Sequence, residues 1–161
     1  MNYDGPYYPK MSKEKIEQLV KEYKNYIRGG NWPNPRKRMV IANKETQELT
    51  GTVSWYWQNE ETNWKSIGLA IYDDKNWGKS IGYEALKLWI DYLFKEDKDI
   101  VRLDLRTWEG NIGMLKLAEK SGFKEEARFR KALIVKNKYY DSIGLGILKE
   151  EWKEKRQTHN K

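Results

Sequence analysis

Asn76-Trp77-Gly78-Lys79-Ser80-Ile81-Gly82 stands between an apolar stretch, Lys65 to Asp73, and an apolar run that reaches about Phe94. The pattern predicts a strand over 65–73, a glycine-bearing turn, and a helix burying Ile81, Ala85, Leu86, Trp89 and Leu93. Glycines at such a junction let backbone N–H groups face outward without a Cβ in the way. The unpaired donors and the positive end of the helix dipole then favour an anion, phosphate above all, and Lys79 adds a cation. Two nucleotide motifs fail here. A P-loop ending in Gly78-Lys79-Ser80 requires glycine at position 73, which is Asp73, and a dinucleotide fingerprint needs three glycines where only Gly78 and Gly82 occur.

Working outward, residues 12–28 read as a helix capped by Ser12, with Ile16, Leu19, Val20, Tyr23 and Ile27 on one face and Gly29-Gly30 at its end. Strands are predicted at 38–43 and 51–59, the second alternating Val53, Trp55 and Trp57 with Ser54, Tyr56 and Gln58. Beyond the central helix, Val101, Leu103 and Leu105 alternate with Arg102, Asp104 and Arg106 as another strand. A short helix follows from about Asn111 to Lys120, stopped by Gly122. A hairpin over 129–136 and 139–148, turning at Asn137-Lys138, closes the chain. The order implies a single mixed α/β domain over 1–161, built on a largely antiparallel sheet with one strand–helix–strand crossover at its centre. Residues 1–11, with two of the four prolines, read as an irregular segment. Residues 153–161 read as a polar tail in which His159 is disordered.

Composition narrows the chemistry. The 161 residues contain no Cys and one His, His159. Disulfides, thiolate nucleophiles, Cys-based zinc and a His general base are therefore excluded, and no metal site is expected. Carboxylates, Tyr, Lys, backbone groups or a borrowed co-substrate remain. The net charge of +7 is spread, with ten basic against six acidic residues in 1–50, four against six in 51–94, and seventeen against twelve in 95–161. That distribution suits an anionic ligand and builds no long basic arm for nucleic acid. No apolar run approaches the ~20 residues of a membrane span, and no signal-peptide core is present, so a cytoplasmic location is expected.

Read together, Trp77-Gly78-Lys79-Ser80-Ile81-Gly82-Tyr83-Glu84-Ala85 and the stretch Asn111 to Phe123 resemble the two acetyl-CoA motifs of the GNAT superfamily of N-acetyltransferases. The branch most similar contains ribosomal-protein N-terminal and spermidine acetyltransferases. Tyr139-Tyr140-Asp141 and Leu148 to Trp152 look like that branch's last strand, and the resemblance covers roughly 36–152. It implies a GNAT fold: a mixed, mostly antiparallel sheet with splayed central strands and flanking helices, its N-terminal strand missing or divergent here. It also implies acetyl-CoA as co-substrate, a primary amine as acceptor (a protein N-terminus, a polyamine or another small amine), and direct transfer without a covalent enzyme intermediate. In such proteins the strand before the turn pairs with the pantetheine arm, here through Ala70, Ile71 and Tyr72. Trp77, Gly78, Lys79, Ser80, Ile81 and Gly82 would cradle the pyrophosphate, Asn111 would hydrogen-bond the cofactor where the strands part, and Lys120 would reach a phosphate.

The chain departs from the family pattern at several points. Ser80 replaces a glycine, and Trp77 stands where many members carry Arg or Gln. Ala118 occupies the place of the Tyr that protonates the departing thiolate, so that acid cannot be carried over. Tyr139, Tyr140 and Asp141 are the candidate substitutes, with packing at the sheet edge as their competing role. Glu60 and Glu61 are candidates to attract or deprotonate a cationic amine. The N-terminal departure leaves the acceptor wall incomplete, or completed by a neighbour in a homodimer. A non-catalytic acyl-CoA-binding or interaction module is the alternative reading.

Overall fold

The computed structural model describes residues 12–30 and 32–158. The first helix, α1 (Lys13–Arg28), begins with the Lys15 N–H donating to Ser12 Oγ. Its apolar face is not buried: Ile16, Leu19, Val20 and Tyr23 are each more than 40% exposed. Helical spacing draws the face correctly, and the described structure leaves these side chains about half exposed. The irregular segment 1–11, the place of the missing strand, and His159 lie outside the described residues.

Six strands follow: β1 (Arg38–Ala42), β2 (Leu49–Asn59), β3 (Trp64–Ile71), β4 (Arg102–Trp108), β5 (Lys124–Val135) and β6 (Lys138–Leu148). They form one sheet in the order β1-β2-β3-β4-β6-β5. β1 to β3 make an antiparallel meander; Asn43 Oδ1 accepts the N–H groups of Glu45 and Thr46 at its first turn. The helix α2 (Ile81–Glu96) carries the chain from β3 to β4, the one parallel pair. The helix α3 (Ile112–Ser121) leads to β5, and β6 returns between β4 and β5.

Leu86, Trp89, Ile90, Leu93 and Phe94 of α2 are buried against the sheet, each contributing about 1.5–3 kcal/mol of transfer free energy. They meet Val53, Trp55, Ile67, Leu103, Leu105, Ile143, Leu145 and Ile147, all on one face of the sheet. The Trp89 indole N–H donates to the Ser54 carbonyl, which fixes the helix along β2.

Two boundaries differ from the sequence reading. β5 starts at Lys124, five residues before the expected start, because an edge strand carries charged Lys124-Glu125-Glu126 as comfortably as apolar residues. The expected polar tail and the stretch Leu148 to Trp152 are mostly the helix α4 (Lys149–Thr158). Trp152 is buried there, its indole N–H donating to Asp91 Oδ1, while Arg156 pairs with Asp91 at 3.0 Å.

Candidate functional site

The parallel pair β3–β4 is held by only two register positions, Lys65 with Leu103 and Ser66 with Asp104. Above Ser66 the strands separate. β3 stays paired with β2 up to Ile71, and β4 stays paired with β6 up to Trp108. The central sheet therefore splays into a V that opens toward the carboxyl ends of both strands. The N-termini of α2 and α3 flank that opening, so two positive dipole ends meet a crevice of the kind in which α/β folds bind ligands.

Backbone parity decides what lines the V. The Tyr72 N–H donates to the Thr50 carbonyl, toward β2, and alternation turns Ala70 and Gly68 the same way. Leu69 and Ile71 are left presenting their amide groups to the opening. The Ile71 carbonyl accepts the Trp77 indole N–H there, at 3.4 Å. Of the three residues expected to pair with a ligand, only Ile71 faces the crevice. The backbones of Ala70 and Tyr72 belong to β2, and Leu69 takes their place. Counting alternation from the first β2–β3 bond would have found it, but that bond is a tertiary fact.

The turn between β3 and α2 is preorganised. Asp73 Oδ1 accepts the Lys75 N–H and starts a single 3₁₀ turn, Asp74–Asn76. That backbone hydrogen bond holds the Asp73 carboxyl below its usual range. Gly78 (φ 75°) and Ser80 (φ 65°) then adopt left-handed backbone before Ile81 opens α2. Ser80 makes no side-chain cap bond, so the first-turn N–H groups of α2 carry no side-chain cap from it. A Cβ on Gly82 would meet Leu117, Leu69 and Ile71 only at ordinary contact distances of 3.5–4.0 Å. Packing therefore does not demand this glycine, whereas close approach by a ligand would. Trp77, Lys79 and Ser80 are exposed around the same turn.

Asn111 caps α3, its Oδ1 accepting the Met114 N–H at 3.2 Å. It is exposed at the mouth of the V. Lys120 lies over the Tyr83 ring at 4.4 Å, which brings its ammonium beside the first turn of α2. The structure thus gathers Trp77 to Gly82, Asn111 and Lys120 around one opening.

The candidate acids and bases fare differently. Ala118 is fully buried in the core, so nothing at that position can protonate a leaving group. Asp141 accepts the Lys131 N–H and pairs with Arg128 at 3.2 Å. That hydrogen bond, together with Arg128, keeps its carboxyl ionised, which makes it an anchor of the β5–β6 bulge and not a proton donor. Tyr140 packs edge-on against Trp108, and Tyr139 is exposed. Glu60 and Glu61 are in the β2–β3 turn, at the closed end of β3, away from the opening. Trp55 and Trp57 are core partners of Lys65.

The model of the acetyltransferase (GNAT) domain matches residues 1–124. The chain belongs to the GNAT acetyltransferase family. A SPbeta prophage-derived uncharacterized N-acetyltransferase of Bacillus subtilis is 24% identical over 112 residues. The match spans 70% of this chain and 62% of that protein, so the chain covers about three fifths of its relative's length. Among solved structures, spermidine N-acetyltransferase from Vibrio cholerae in complex with CoA and spermine superposes with a TM-score of 0.73 at 22% identity, over 94% of this chain and 83% of the other. An acetyltransferase of the GNAT family from Bacillus anthracis gives 0.67 at 21% identity, over 87% and 76%. The mixed α/β sheet with its splayed centre is therefore the GNAT fold. Among the described residues no three His, Cys, Asp or Glu side chains cluster to hold a metal ion, and no helix is long and apolar enough to cross a membrane.

Proposed function

We propose that this chain, as one domain over residues 1–161, is an acetyl-CoA-dependent N-acetyltransferase acting on a primary amine. The observation that carries the reading is the V between β3 and β4, flanked by two helix N-termini and by a turn whose first α2 amides are uncapped. The residues fit the co-substrate part by part. Amides of the Trp77–Gly82 turn and α2, with Lys79 and Lys120 nearby, suit a pyrophosphate. The amide groups of Leu69 and Ile71 suit an extended pantetheine arm, added as a strand. Asn111 offers a side-chain donor at the mouth.

The co-substrate supplies the activated thioester. The chain aligns it, and a splay-facing N–H of β3, Leu69 in this reading, donates to the carbonyl oxygen as it becomes negative. No enzyme nucleophile is required, which agrees with a chain lacking Cys. A thiol leaving group with an ordinary pKa of ~8.5 departs without a strong acid, so the alanine at 118 is tolerable.

Calorimetry with CoA and acetyl-CoA tests the binding half: micromolar affinity and a raised Tm are expected, and no binding at millimolar ligand overturns it. Release of free thiol from acetyl-CoA across a panel of polyamines, small amines and peptides with free N-termini tests the transfer half. The second reading, a non-catalytic acyl-CoA-binding module, draws support from buried Ala118 and immobilised Asp141. Binding without thiol release on any acceptor favours it.

A further inference from the structure

Asp104 is 4% exposed, yet its Oδ1 has no hydrogen-bond partner. Among the described residues two further buried side-chain polar atoms lack partners, and both belong to its surroundings: the Trp64 Nε1 donor and the Arg102 Nε donor. Register places all three on the sheet face opposite α2, because Ser66 is level with Asp104 and successive residues alternate. Small residues stand beside the carboxylate on that face: Ser66 on β3, Gly68 one step above, and Gly146 and Gly144 on β6. The charged groups facing it are Arg102 and Arg106 of β4 and Glu126 of β5, which pairs with Arg102 and lies over Gly146. β2 contributes Tyr56, level with Ser66, and Ser54, level with Gly68, and no charge.

A buried carboxylate oxygen without a partner costs a fold free energy, and such an atom calls for an explanation, a bound water or a functional role among them. The Arg102 guanidinium lies 5.1 Å from the Trp64 ring centre and both side chains act on the Asp104 carboxyl, so two donors and one acceptor stand close together, the set a single bound water needs. The spot lies about 3.3 Å, one residue's rise, below the point where β3 and β4 part. On the α2 face the sheet is filled by packed helices, so an acceptor amine reaches the base of the V from the face that Asp104 occupies. Burial pushes the Asp104 carboxyl above its usual range, against the opposing pull of Ser66, Arg102, Arg106 and Trp64, which makes it a better proton acceptor than an exposed carboxylate.

Building on the acetyltransferase reading, we infer that Asp104, through one water held between Trp64 Nε1 and Arg102 Nε, is the proton acceptor for the attacking amine. The acceptor enters as an ammonium ion and gives one proton to the water–Asp104 pair. The neutral amine forms the C–N bond to the acetyl carbon as the C–S bond breaks and the CoA thiolate leaves. The amine nitrogen, cationic after attack, loses its second proton to the thiolate, and Asp104 returns its proton to solvent. The products are the N-acetyl amide, CoA thiol and one released proton.

Asp104→Asn keeps shape and removes the base. With an acceptor from the panel, kcat/KM is expected to fall by about 10²–10⁴-fold and the acid limb of its pH profile to vanish. Asp104→Glu restores part of the rate together with a shifted acid limb. CoA affinity by calorimetry stays unchanged, and Tm at neutral pH rises, since a buried charge penalised by desolvation has gone. Should Asp104→Asn not fold, Trp64→Phe, which removes one water donor, is expected to lower kcat/KM and displace the acid limb. Full turnover with an unaltered pH profile in these variants overturns the role of Asp104 and leaves the acetyltransferase reading standing. A lower Tm at neutral pH with proportionate loss of CoA binding marks Asp104 as structural and also overturns it. Failure of the wild-type chain to bind CoA removes the underlying reading instead.

Discussion

Lys65 and Asp104 are buried charges on adjoining register positions of the same strand pair, one on each face of the sheet, and they are treated in opposite ways. Lys65 is 1% exposed and fully furnished: it pairs with Asp97, donates to Asn63 Oδ1 at 3.2 Å, and lies 4.1 and 4.9 Å from the ring centres of Trp57 and Trp55. Asp104, almost as deep, has an empty Oδ1 and two equally unsatisfied donors beside it. The first arrangement locks β3 to the C-terminal end of α2 and closes the foot of the V. The second leaves the other side of that foot chemically unfinished. A satisfied buried charge acts as a clamp, while an unsatisfied buried oxygen carries a cost that some other role must justify.

The largest expected effect is the 10²–10⁴-fold loss of kcat/KM in Asp104→Asn described above. Next comes Lys65→Ala, which strips the clamp and leaves Asp97 without its cation; a loss of about 3 kcal/mol in urea unfolding is expected. An unchanged midpoint would remove the clamp from the argument. Third, Gly82→Ala is expected to weaken CoA about tenfold by calorimetry, equivalent to about 1.4 kcal/mol, with Tm unchanged or raised. Equal CoA affinity would deny that a ligand approaches closely there.

The two carboxylates also carry opposite pH signatures. Burial raises the Asp97 carboxyl, but the Lys65 hydrogen bond and charge outweigh it, so its folded pKa lies low and its stabilisation is lost as pH falls. The folded pKa of Asp104 lies above its unfolded value, so stability is gained as pH falls through it and is complete below about pH 4. The Tm advantage of Asp104→Asn over wild type should therefore shrink from pH 7 to pH 4, and a constant difference counts against it. Smallest is Ser80→Gly, which releases a left-handed non-glycine and should add about 0.5–1 kcal/mol without harming CoA affinity.

Alternation and helical spacing already marked β2, β3, β4, α2 and α3, and the pair Trp77–Gly82 with Asn111–Phe123 pointed to the family before any coordinate. Those signals are local: periodicity, glycine at a strand-to-helix turn, and a cap at a helix start. Trp152 shows where locality fails: the stretch Leu148 to Trp152 reads as part of the last strand, and only Asp91 and the α2 surface show it as the start of a helix with a buried aromatic. The same holds for α1, whose spacing gives a true helix but not what its apolar face meets.

By itself, then, the sequence determined the fold class, the phosphate-suited turn and the chemistry excluded by absent cysteines. Each of these depends on residue type and near neighbours alone. Only the tertiary structure decided that Leu69 and Ile71 face the V, that Asp141 is an anchor, and that Asp104 Oδ1 is buried at its foot without a partner. Those facts depend on which strand lies beside which and at what register, and residues 38 positions apart meet only when the sheet is assembled.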